Sequence, residues 1–284
     1  IAKANLKVVV DAVNSVGGTV IPALLKALGV KEVVELNCEP TGRFAHNPEP
    51  IPENLIQISE KIKECGADLG IVVDPDVDRL ALVCENGEMF VEEYTLVAVA
   101  DYVLKHTPGN TVSNLSSSRA LRDVTLAHGQ QYNAAAVGEV NVVTKMKETN
   151  TVIGGEGNGG VIYPESHYGR DALVGVGLFL SHFVAEGKSM TVLKATYPQY
   201  FISKNKLTLS PDMDVDKILE GLKKKYASEE ITDIDGVKID FKDGWVHLRK
   251  SNTEPIIRIY SESKDEAAAN QLAEEVIKVA QSLY

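Results

Sequence analysis

The chain contains 284 residues, of which 44% are hydrophobic and 24% charged, and its formal net charge at pH 7 is −11. This length exceeds one typical domain and supplies enough apolar surface for a core, so we expect two or three domains. An acidic chain gains nothing from counterion release on a polyanion, which argues against nucleic acid as a partner. A phosphate ligand would therefore need a local positive pocket or a metal ion.

The cysteines and the apolar runs bear on the cellular compartment and on membrane association. Its three cysteines are widely spaced and include no CxxC pair, which argues against a disulfide framework and a zinc site and indicates a reducing, cytoplasmic compartment. The longest uncharged apolar stretch, residues 172–185, is shorter than the about 20 residues that cross a bilayer, so we expect no membrane association. The first residues have no signal-peptide layout and suggest a helix end entering a strand, so we expect that sequence upstream has been removed.

Apolar runs of strand length alternate with helix-periodic segments along the first third of the chain. The predicted strands are residues 7–10, 33–36, 68–73 and 80–83, and the predicted helices are residues 20–28 and 54–65. A polar, proline-rich loop is predicted over residues 39–52. This βαβαβ order predicts a mostly parallel sheet with helices on its faces.

The alternation then begins again and ends in a module of a different kind. The predicted helices are residues 92–106, 118–128, 140–148, 171–185 and 210–226, and the predicted strands are residues 111–115, 132–137 and 152–155. Near the end, alternating strands at 236–241 and 245–249 flank a Lys-Asp-Gly turn. A third strand is predicted at 256–261, and an amphipathic helix begins at Asp265.

These patterns together predict the fold class and the division into domains. We expect two successive three-layer α/β domains with mostly parallel mixed sheets, followed by a smaller α+β domain with an antiparallel sheet. The domains are placed at residues 1–88, 89–198 and 199–284.

Three aspartates follow the strand at residues 68–73 with a spacing of two. Asp74, Asp76 and Asp78 would raise one another's pKa unless a cation neutralised them, and Pro75 excludes a helix here. Three hard oxygen ligands suit Mg²⁺. The spacing also fits an EF-hand loop, but Arg79 stands where that loop needs glycine and the flanks are strands, so we reject an EF-hand. A solvated acidic turn is the remaining alternative.

A second loop, GGEGNGG at residues 154–160, follows a predicted strand. Its glycines allow a ligand to approach the backbone closely. Glu156 and Asn158 offer acceptors and a donor that suit sugar hydroxyls. An ordinary flexible loop is the alternative interpretation.

A third loop, RKSNTEP at residues 249–255, connects two predicted strands, and Arg258 follows it. Cations, hydroxyls and an amide in a tight connection can bind a phosphate. Taken alone, the same string also fits an ordinary exposed turn.

The order of the three strings DPDVDR, GGEGNGG and RKSNTEP resembles the α-D-phosphohexomutase superfamily, which includes phosphoglucomutase, phosphomannomutase and phosphoglucosamine mutase. The resemblance covers the whole chain and implies the family's second, third and fourth domains, without the first, phosphoserine-bearing domain. It implies an isomerase that transfers a phosphoryl group between the 1- and 6-positions of a hexose through a bisphosphate intermediate. The implied substrates are phosphoglucosamine or phosphomannose/phosphoglucose, bound as hexose phosphate and hexose bisphosphate by a monomer or a homodimer. We expect the chain alone to be inactive.

The resemblance also implies a role for individual residues. The implied residues are the Mg²⁺ ligands Asp74, Asp76 and Asp78, the catalytic Arg79, the sugar-binding Glu156 and Asn158, and the phosphate-binding Arg249, Ser251, Asn252, Thr253 and Arg258. In that scheme a phosphoserine donates to the substrate, and Mg²⁺ neutralises charge on the transferring group.

The chain departs from the family's pattern at the phosphoserine. The family carries that serine in a Ser-His-Asn-Pro string, and the similar string at residues 45–48 begins with Ala45, which has no hydroxyl. We therefore reject residues 45–48 as the nucleophile site. Ser116, Ser117 and Ser118 lie between a predicted strand and a predicted helix, where helix capping explains them.

Two further departures fall within the predicted loops. Val77 stands where the family usually has glycine, which restricts the backbone without removing a ligand. Gly160 stands where many members have a histidine that has an acid–base role in some of them. His167 is a candidate replacement, and an ordinary exposed loop histidine is the alternative.

Two other functions remain open at this point. The first is a non-catalytic protein that binds sugar phosphates. The second is a Mg²⁺-dependent phosphatase of another fold with Asp74 as its nucleophile, which would leave the other two loops unexplained.

Overall fold

The structure, a computed structural model, describes residues 1–210, 213–251 and 254–283. The chain divides into two compact units, Ile1–Ala134 with Gly138–Pro198, and Ala135–Val137 with Gln199–Tyr284. Across the described ranges, no helix has both the length and the apolar character needed to span a membrane. Cys38, Cys65 and Cys84 are free thiols.

The first unit begins with a four-stranded mixed sheet. Its elements are β1 (Lys7–Asp11), α1 (Gly17–Ala27), β2 (Glu32–Leu36), a short 3-10 helix (Pro52–Asn54), α2 (Ile56–Cys65), β3 (Leu69–Val73) and β4 (Leu80–Cys84). The strand order is β2-β1-β3-β4; β1 is parallel to β2 and β3, and β4 is antiparallel to β3. Every residue of β3 and β4 is buried, as the uninterrupted apolar runs of these strands predict.

A second four-stranded sheet follows in the same unit. Its elements are α3 (Glu92–His106), β5 (Thr111–Asn114), α4 (Arg119–Ala127), β6 (Tyr132–Ala135), α5 (Glu139–Glu148), β7 (Ile153–Glu156), β8 (Gly160–Ile162), α6 (Ala172–Glu186) and α7 (Met190–Lys194). The strand order is β6-β5-β7-β8, with β5 parallel to β7 and β8 antiparallel to β7. Helix α3 is buried along most of its length because it packs against α4, α6, β4 and β7, and it thereby joins the two sheets.

The second unit is an antiparallel sheet covered by two helices. Its elements are β9 (Phe201–Thr208), α8 (Val215–Lys225), β10 (Glu230–Thr232), β11 (Val237–Phe241), β12 (Gly244–Lys250), β13 (Ile256–Ser263) and α9 (Glu266–Gln281). The strand order is β10-β11-β12-β13-β9, and every neighbouring pair is antiparallel. The apolar faces of α8 and α9 pack on β12 and β13 and form one core.

The predicted fold class is confirmed: two α/β regions with mixed sheets precede an antiparallel α+β module. The predicted helix at residues 210–226 begins only at Val215, where Asp214 caps it by accepting a hydrogen bond from the amide of Lys217. The sequence analysis missed β8, α7, β9 and β10. Three of these four have five residues or fewer, too few to establish a period, whereas β9 has eight.

A buried histidine on α6 gives the first unit a pH-dependent stability. His182 is fully buried, and its Nε2 lies 2.6 Å from the hydroxyl of Tyr197 and 3.5 Å from Oδ2 of Asp101. Burial lowers the pKa of His182 from 6.5 to about 4, and Asp101 only partly opposes this effect. The unfolded chain therefore binds a proton at this residue between these two values, whereas the folded chain does not.

Folding stability contributed by His182 is thus fully present above pH 6.5 and is lost as the pH falls toward 4. Between pH 7 and pH 4.5 we expect the wild type to lose about 2–3 kcal/mol more unfolding free energy than His182→Gln. Urea unfolding of both proteins across this pH range measures the difference. His247 of the second unit, whose pKa burial also lowers to about 4, is common to both proteins. Parallel stability profiles would contradict the assignment.

Candidate active site

The loop between β3 and β4, residues 74–79, is called the metal loop below. Asp74 closes this loop, because its Oδ1 accepts hydrogen bonds from the amides of Asp78 at 3.1 Å and Arg79 at 3.0 Å. Ser15 holds the loop from outside by donating to the carbonyl of Pro75 at 2.8 Å. The turn follows from the sequence, since an aspartate side chain commonly accepts amides of a turn that it begins.

The structure brings the three aspartates of the metal loop together. One carboxylate oxygen each of Asp74, Asp76 and Asp78 lies within 4.8 Å of the other two. Oδ1 of Asp78 is buried and has no hydrogen-bond partner in the part of the chain that the structure describes. Burial is the largest cause of a raised pKa at Asp74, and the charges of Asp78 and Asp76 act in the same direction; against the lowering effect of the Arg79 amide, the pKa is about 6. Converging hard oxygens, one of which accepts no hydrogen bond from the described residues, fit a divalent cation such as Mg²⁺.

Val77 bears out the expected restriction of the backbone. Its φ is +62°, in the left-handed region that glycine adopts without strain. A β-branched residue in this region costs about 1–2 kcal/mol. The Val77 side chain is nevertheless buried, so apolar packing offsets part of this strain.

Arg79 lies beside the aspartates rather than away from them. Its Nε is 3.6 Å from Oδ2 of Asp74 and 3.8 Å from Oδ1 of Asp78. The side chain is 31% exposed. The metal loop therefore combines three carboxylates with one fixed positive charge.

Residues 154–160, which end β7, turn and begin β8, are called the sugar loop below. Close approach to backbone requires glycine at position 159, because a Cβ there would lie 2.5 Å from the carbonyl oxygen of Leu80 and the φ is +90°. A Cβ on Gly157 would meet the side-chain carboxylate of Glu93, at 1.9 Å from Oε2. The amide of Leu80 donates to the carbonyl of Gly159 at 2.9 Å. Since Leu80 directly follows Arg79, this bond places the sugar loop beside the metal loop.

Glu156 ends β7 and is only 5% exposed. Its Oε1 accepts from the side-chain amide of Asn114 at 2.8 Å and from the amide of Gly138 at 3.2 Å, and its Oε2 accepts from Arg170 at 3.0 Å. A carboxylate has about four acceptor sites, so these three bonds orient Glu156 and leave capacity for a hydroxyl. Asn158 uses its Oδ1 to accept from the amide of Gly160 at 3.2 Å.

Arg170 is the main residue that the sequence analysis missed. It directly precedes Asp171, the N-cap of α6, and its side chain is 15% exposed. Its guanidinium bonds Asp78 of the metal loop and Glu156 of the sugar loop, and its Nε lies 3.5 Å from Glu139 of α5. The sequence indicates this residue only indirectly, since carboxylates as close together as these need a buried cation.

The remaining candidates of this unit have identifiable partners. His167 contacts Oδ2 of Asp171 at 2.9 Å, and half of its side chain is exposed. Ser118 caps α4, as predicted, by accepting from the amide of Ala120. Ser117 accepts from the amide of Gly157 at 3.0 Å and thereby supports the sugar loop, a role that the sequence analysis did not foresee.

Residues 249–255 of the second unit, which end β12 and lead to β13, are called the phosphate loop below. Arg249 and Arg258 lie directly opposite each other on these antiparallel strands. Arg258 donates to Glu254 at 3.0 Å, whereas the buried Nε of Arg249 has no hydrogen-bond partner among the residues that the structure describes. Like charges directly opposite are destabilising. This arrangement therefore suits an anion.

Ser251 is buried, and its amide donates to the carbonyl of Ile256 at 2.9 Å. Asn252 and Thr253, also predicted to bind phosphate, lie outside the described residues.

Models of three consecutive domains of one protein family match the chain. Those of phosphoglucomutase/phosphomannomutase alpha/beta/alpha domain II, alpha/beta/alpha domain III and the C-terminal domain match residues 1–87, 92–200 and 207–279, respectively. Each matched range contains one of the three loops.

Individual relatives agree with these matches. The chain is 40% identical over 276 residues to a phosphoglucomutase/phosphomannomutase of Thermococcus kodakarensis, covering 96% of this chain and 60% of that protein. A phosphoglucomutase/phosphomannomutase family protein from Burkholderia thailandensis, at 30% identity, superposes with a TM-score of 0.85 over 97% of this chain and 61% of that chain.

A more distant structure shares the fold. It is an Aspergillus fumigatus N-acetylphosphoglucosamine mutase in complex with GlcNAc-6P and magnesium, with 13% identity and a TM-score of 0.66 over 99% of this chain and 63% of that chain. The chain thus spans a little over half of the length of each of these three proteins, from 60% to 63%.

Proposed function

Because the chain belongs to the phosphoglucomutase/phosphomannomutase family of α-D-phosphohexomutases, we propose that the protein is an isomerase that interconverts a hexose 1-phosphate and a hexose 6-phosphate through a hexose 1,6-bisphosphate. The observation that carries the proposal is the pairing of a carboxylate cluster, spanning 4.8 Å, with an adjoining glycine loop that presents Glu156. The substrate is a phosphoglucosamine or a phosphomannose/phosphoglucose. The domain division at residues 1–88, 89–198 and 199–284 is part of the proposal and is supported by the three matched ranges.

In the metal loop, Asp74, Asp76 and Asp78 would hold Mg²⁺. The bound ion supplies positive charge that neutralises the transferring phosphoryl group. Arg79, within 4 Å of two of these carboxylates, adds a fixed positive charge at the same place. This contribution is electrostatic.

The sugar loop would bind the hydroxyls of the sugar, and the phosphate loop would bind a phosphate group. Glu156, oriented by three donors, accepts from sugar hydroxyls, and Asn158 offers its amide group as a donor. Arg249, Ser251 and Arg258 bind the phosphate that is not being transferred, with Asn252 and Thr253 as further contacts. A charge-assisted, planar contact to phosphate is the role that arginine fulfils best.

The 284 residues contain no Ser-His-Asn-Pro string, so we propose that this chain binds its ligands but does not turn them over without a phosphoryl donor. A cytoplasmic setting and a monomeric or homodimeric state complete the proposal. The three free thiols support a reducing compartment.

Calorimetric titration of the 284-residue chain with glucose 1,6-bisphosphate, with and without MgCl₂, tests the proposed binding function. We expect saturable binding at one site that Mg²⁺ strengthens, and weaker binding of unphosphorylated glucose. If the bisphosphate gives no saturable heat in the presence of MgCl₂, the proposed function is wrong.

A further inference from the structure

We propose that Arg170 is a positioning residue that couples the metal loop to the sugar loop, so that Mg²⁺ and the hexose phosphate strengthen each other's binding through this one guanidinium. The inference rests on the proposed function, because it concerns the same two loops. Arg170 touches neither ligand in this account and acts through the carboxylates that do.

The contacts of Arg170 reach three separate elements. NH1 donates to Oε2 of Glu156 at 3.0 Å, and NH2 donates to Oδ2 of Asp78. Its backbone amide donates to Oε1 of Glu139 at 3.0 Å, and its Nε lies 3.5 Å from the other oxygen of the same carboxylate. A single partly buried cation therefore balances three carboxylates that would otherwise repel one another.

Gly160 makes room for this arrangement. A Cβ on Gly160 would lie 2.4 Å from Cδ and 3.1 Å from Cγ of Arg170, so the stem of the arginine occupies the space of a side chain at position 160. Any residue larger than glycine at this position would push the stem aside. The path of Arg170 toward the two loops thus depends on a missing side chain in the sugar loop itself.

The guanidinium fixes which oxygen of each carboxylate faces a ligand. Because Arg170 holds Oδ2 of Asp78, the oxygen left for a ligand is the buried Oδ1, which accepts no hydrogen bond across the described ranges and lies 3.8 Å from Nε of Arg79. Because it also holds Oε2 of Glu156, the orientation of that carboxylate depends on the same group.

The planar fork of arginine binds two carboxylates in one geometry, whereas the ammonium of lysine is a point charge that cannot do so. When one ligand orders one carboxylate, Arg170 is ordered with it, and the second ligand no longer has to supply that ordering free energy. The two sites are thereby linked without direct contact between the ligands.

The test compares Kd values of glucose 1,6-bisphosphate, measured by calorimetry on the 284-residue chain with and without saturating free Mg²⁺. The ratio of the two Kd values is the coupling factor. In Arg170→Lys, which keeps the charge, we expect this factor to fall at least about fivefold from its wild-type value. The matched control is Arg122→Lys on α4, which should keep the wild-type factor.

A second variant leaves every charge in place. Gly160→Ala puts a Cβ against the stem of Arg170 and should lower the coupling factor as Arg170→Lys does. In an Arg170→Ala background the stem is gone, and adding Gly160→Ala should change the factor no further. If Arg170 had a purely structural role, its substitution would lower the melting temperature, but the effect of Gly160→Ala on the coupling factor would not depend on the presence of Arg170.

The outcomes separate this inference from the proposed function. If the wild type binds the bisphosphate with a Mg²⁺-dependent Kd and both folded variants keep the wild-type coupling factor, the inference is overturned. If the wild type itself does not bind the bisphosphate, the proposed function fails instead, and with it the premise on which this inference rests.

Discussion

Replacing Arg249 with alanine should weaken binding of glucose 1,6-bisphosphate by about 10- to 150-fold, since a hydrogen bond to a charged group contributes about 1.5–3 kcal/mol. The reason lies in the phosphate loop. The buried Nε of Arg249 has no partner within the described parts of the chain, and the residue faces Arg258 across two antiparallel strands. A phosphate would satisfy both groups. Calorimetry in saturating MgCl₂ measures the change.

Because Arg249→Ala removes a positive charge opposite Arg258, we expect its unfolding temperature to be unchanged or slightly higher than that of the wild type. Such a result excludes misfolding as the cause of weaker binding. The matched control is Lys224→Ala, which removes one exposed positive charge from α8 in the same unit. This control should bind like the wild type. Equal affinities for wild type and Arg249→Ala would show that the phosphate loop does not bind the ligand.

Replacing Asp76 with alanine should weaken Mg²⁺ binding at least about tenfold, because even outer-shell partners of a metal ligand contribute about 10- to 100-fold to affinity. Asp76 is exposed, whereas Asp74 closes the loop through its bonds to two amides. The substitution at position 76 therefore removes a ligand oxygen without removing the turn. Calorimetric titration with MgCl₂ alone, without sugar, gives the comparison.

The control for this experiment is Glu60→Ala, which removes one exposed carboxylate from α2 and should leave Mg²⁺ binding unchanged. It separates loss of a ligand from loss of general negative charge. Identical titrations for Asp76→Ala and wild type would refute the metal assignment.

Most elements of the fold could be predicted from the sequence because their apolar periods are long and uninterrupted. The helix at residues 92–106 and the buried strands β3 and β4 are examples. Strand β9 was missed for a physical reason: its residues FISKNKLT are largely polar and mostly exposed or half-buried, so pairing with β13, rather than an apolar pattern, makes it a strand.

Some residues of the candidate site could likewise be predicted from the sequence, and others could not. The three loops could be found because each is a short string whose chemistry is contained in neighbouring residues. Arg170 could not, because its partner Asp78 is 92 residues away in the sequence. Asn114, which donates to Glu156 from 42 residues away, was missed for the same reason. Local strings identify groups that bind ligands, whereas the groups that orient them are brought close only by the tertiary fold.

Val77 marks an intermediate case. The sequence indicated that a valine in place of glycine would restrict the metal loop, and its φ of +62° agrees. What the sequence could not indicate is that the Val77 side chain is buried, since this requires knowing where α1 packs.

The central proposal is that the full-length protein isomerises hexose phosphates and does not merely bind them. The most direct test is phosphorus NMR of the full-length protein, not of the 284-residue chain alone, for which we propose no turnover without a phosphoryl donor. The protein is incubated with Mg²⁺, catalytic glucose 1,6-bisphosphate and, in separate samples, glucose, mannose or glucosamine 1-phosphate. We expect that the 6-phosphate of at least one hexose accumulates to equilibrium, and that Asp76→Ala abolishes this conversion. Saturable binding of all three sugar phosphates with no conversion of any would contradict it and would identify the protein as a non-catalytic sugar-phosphate binder.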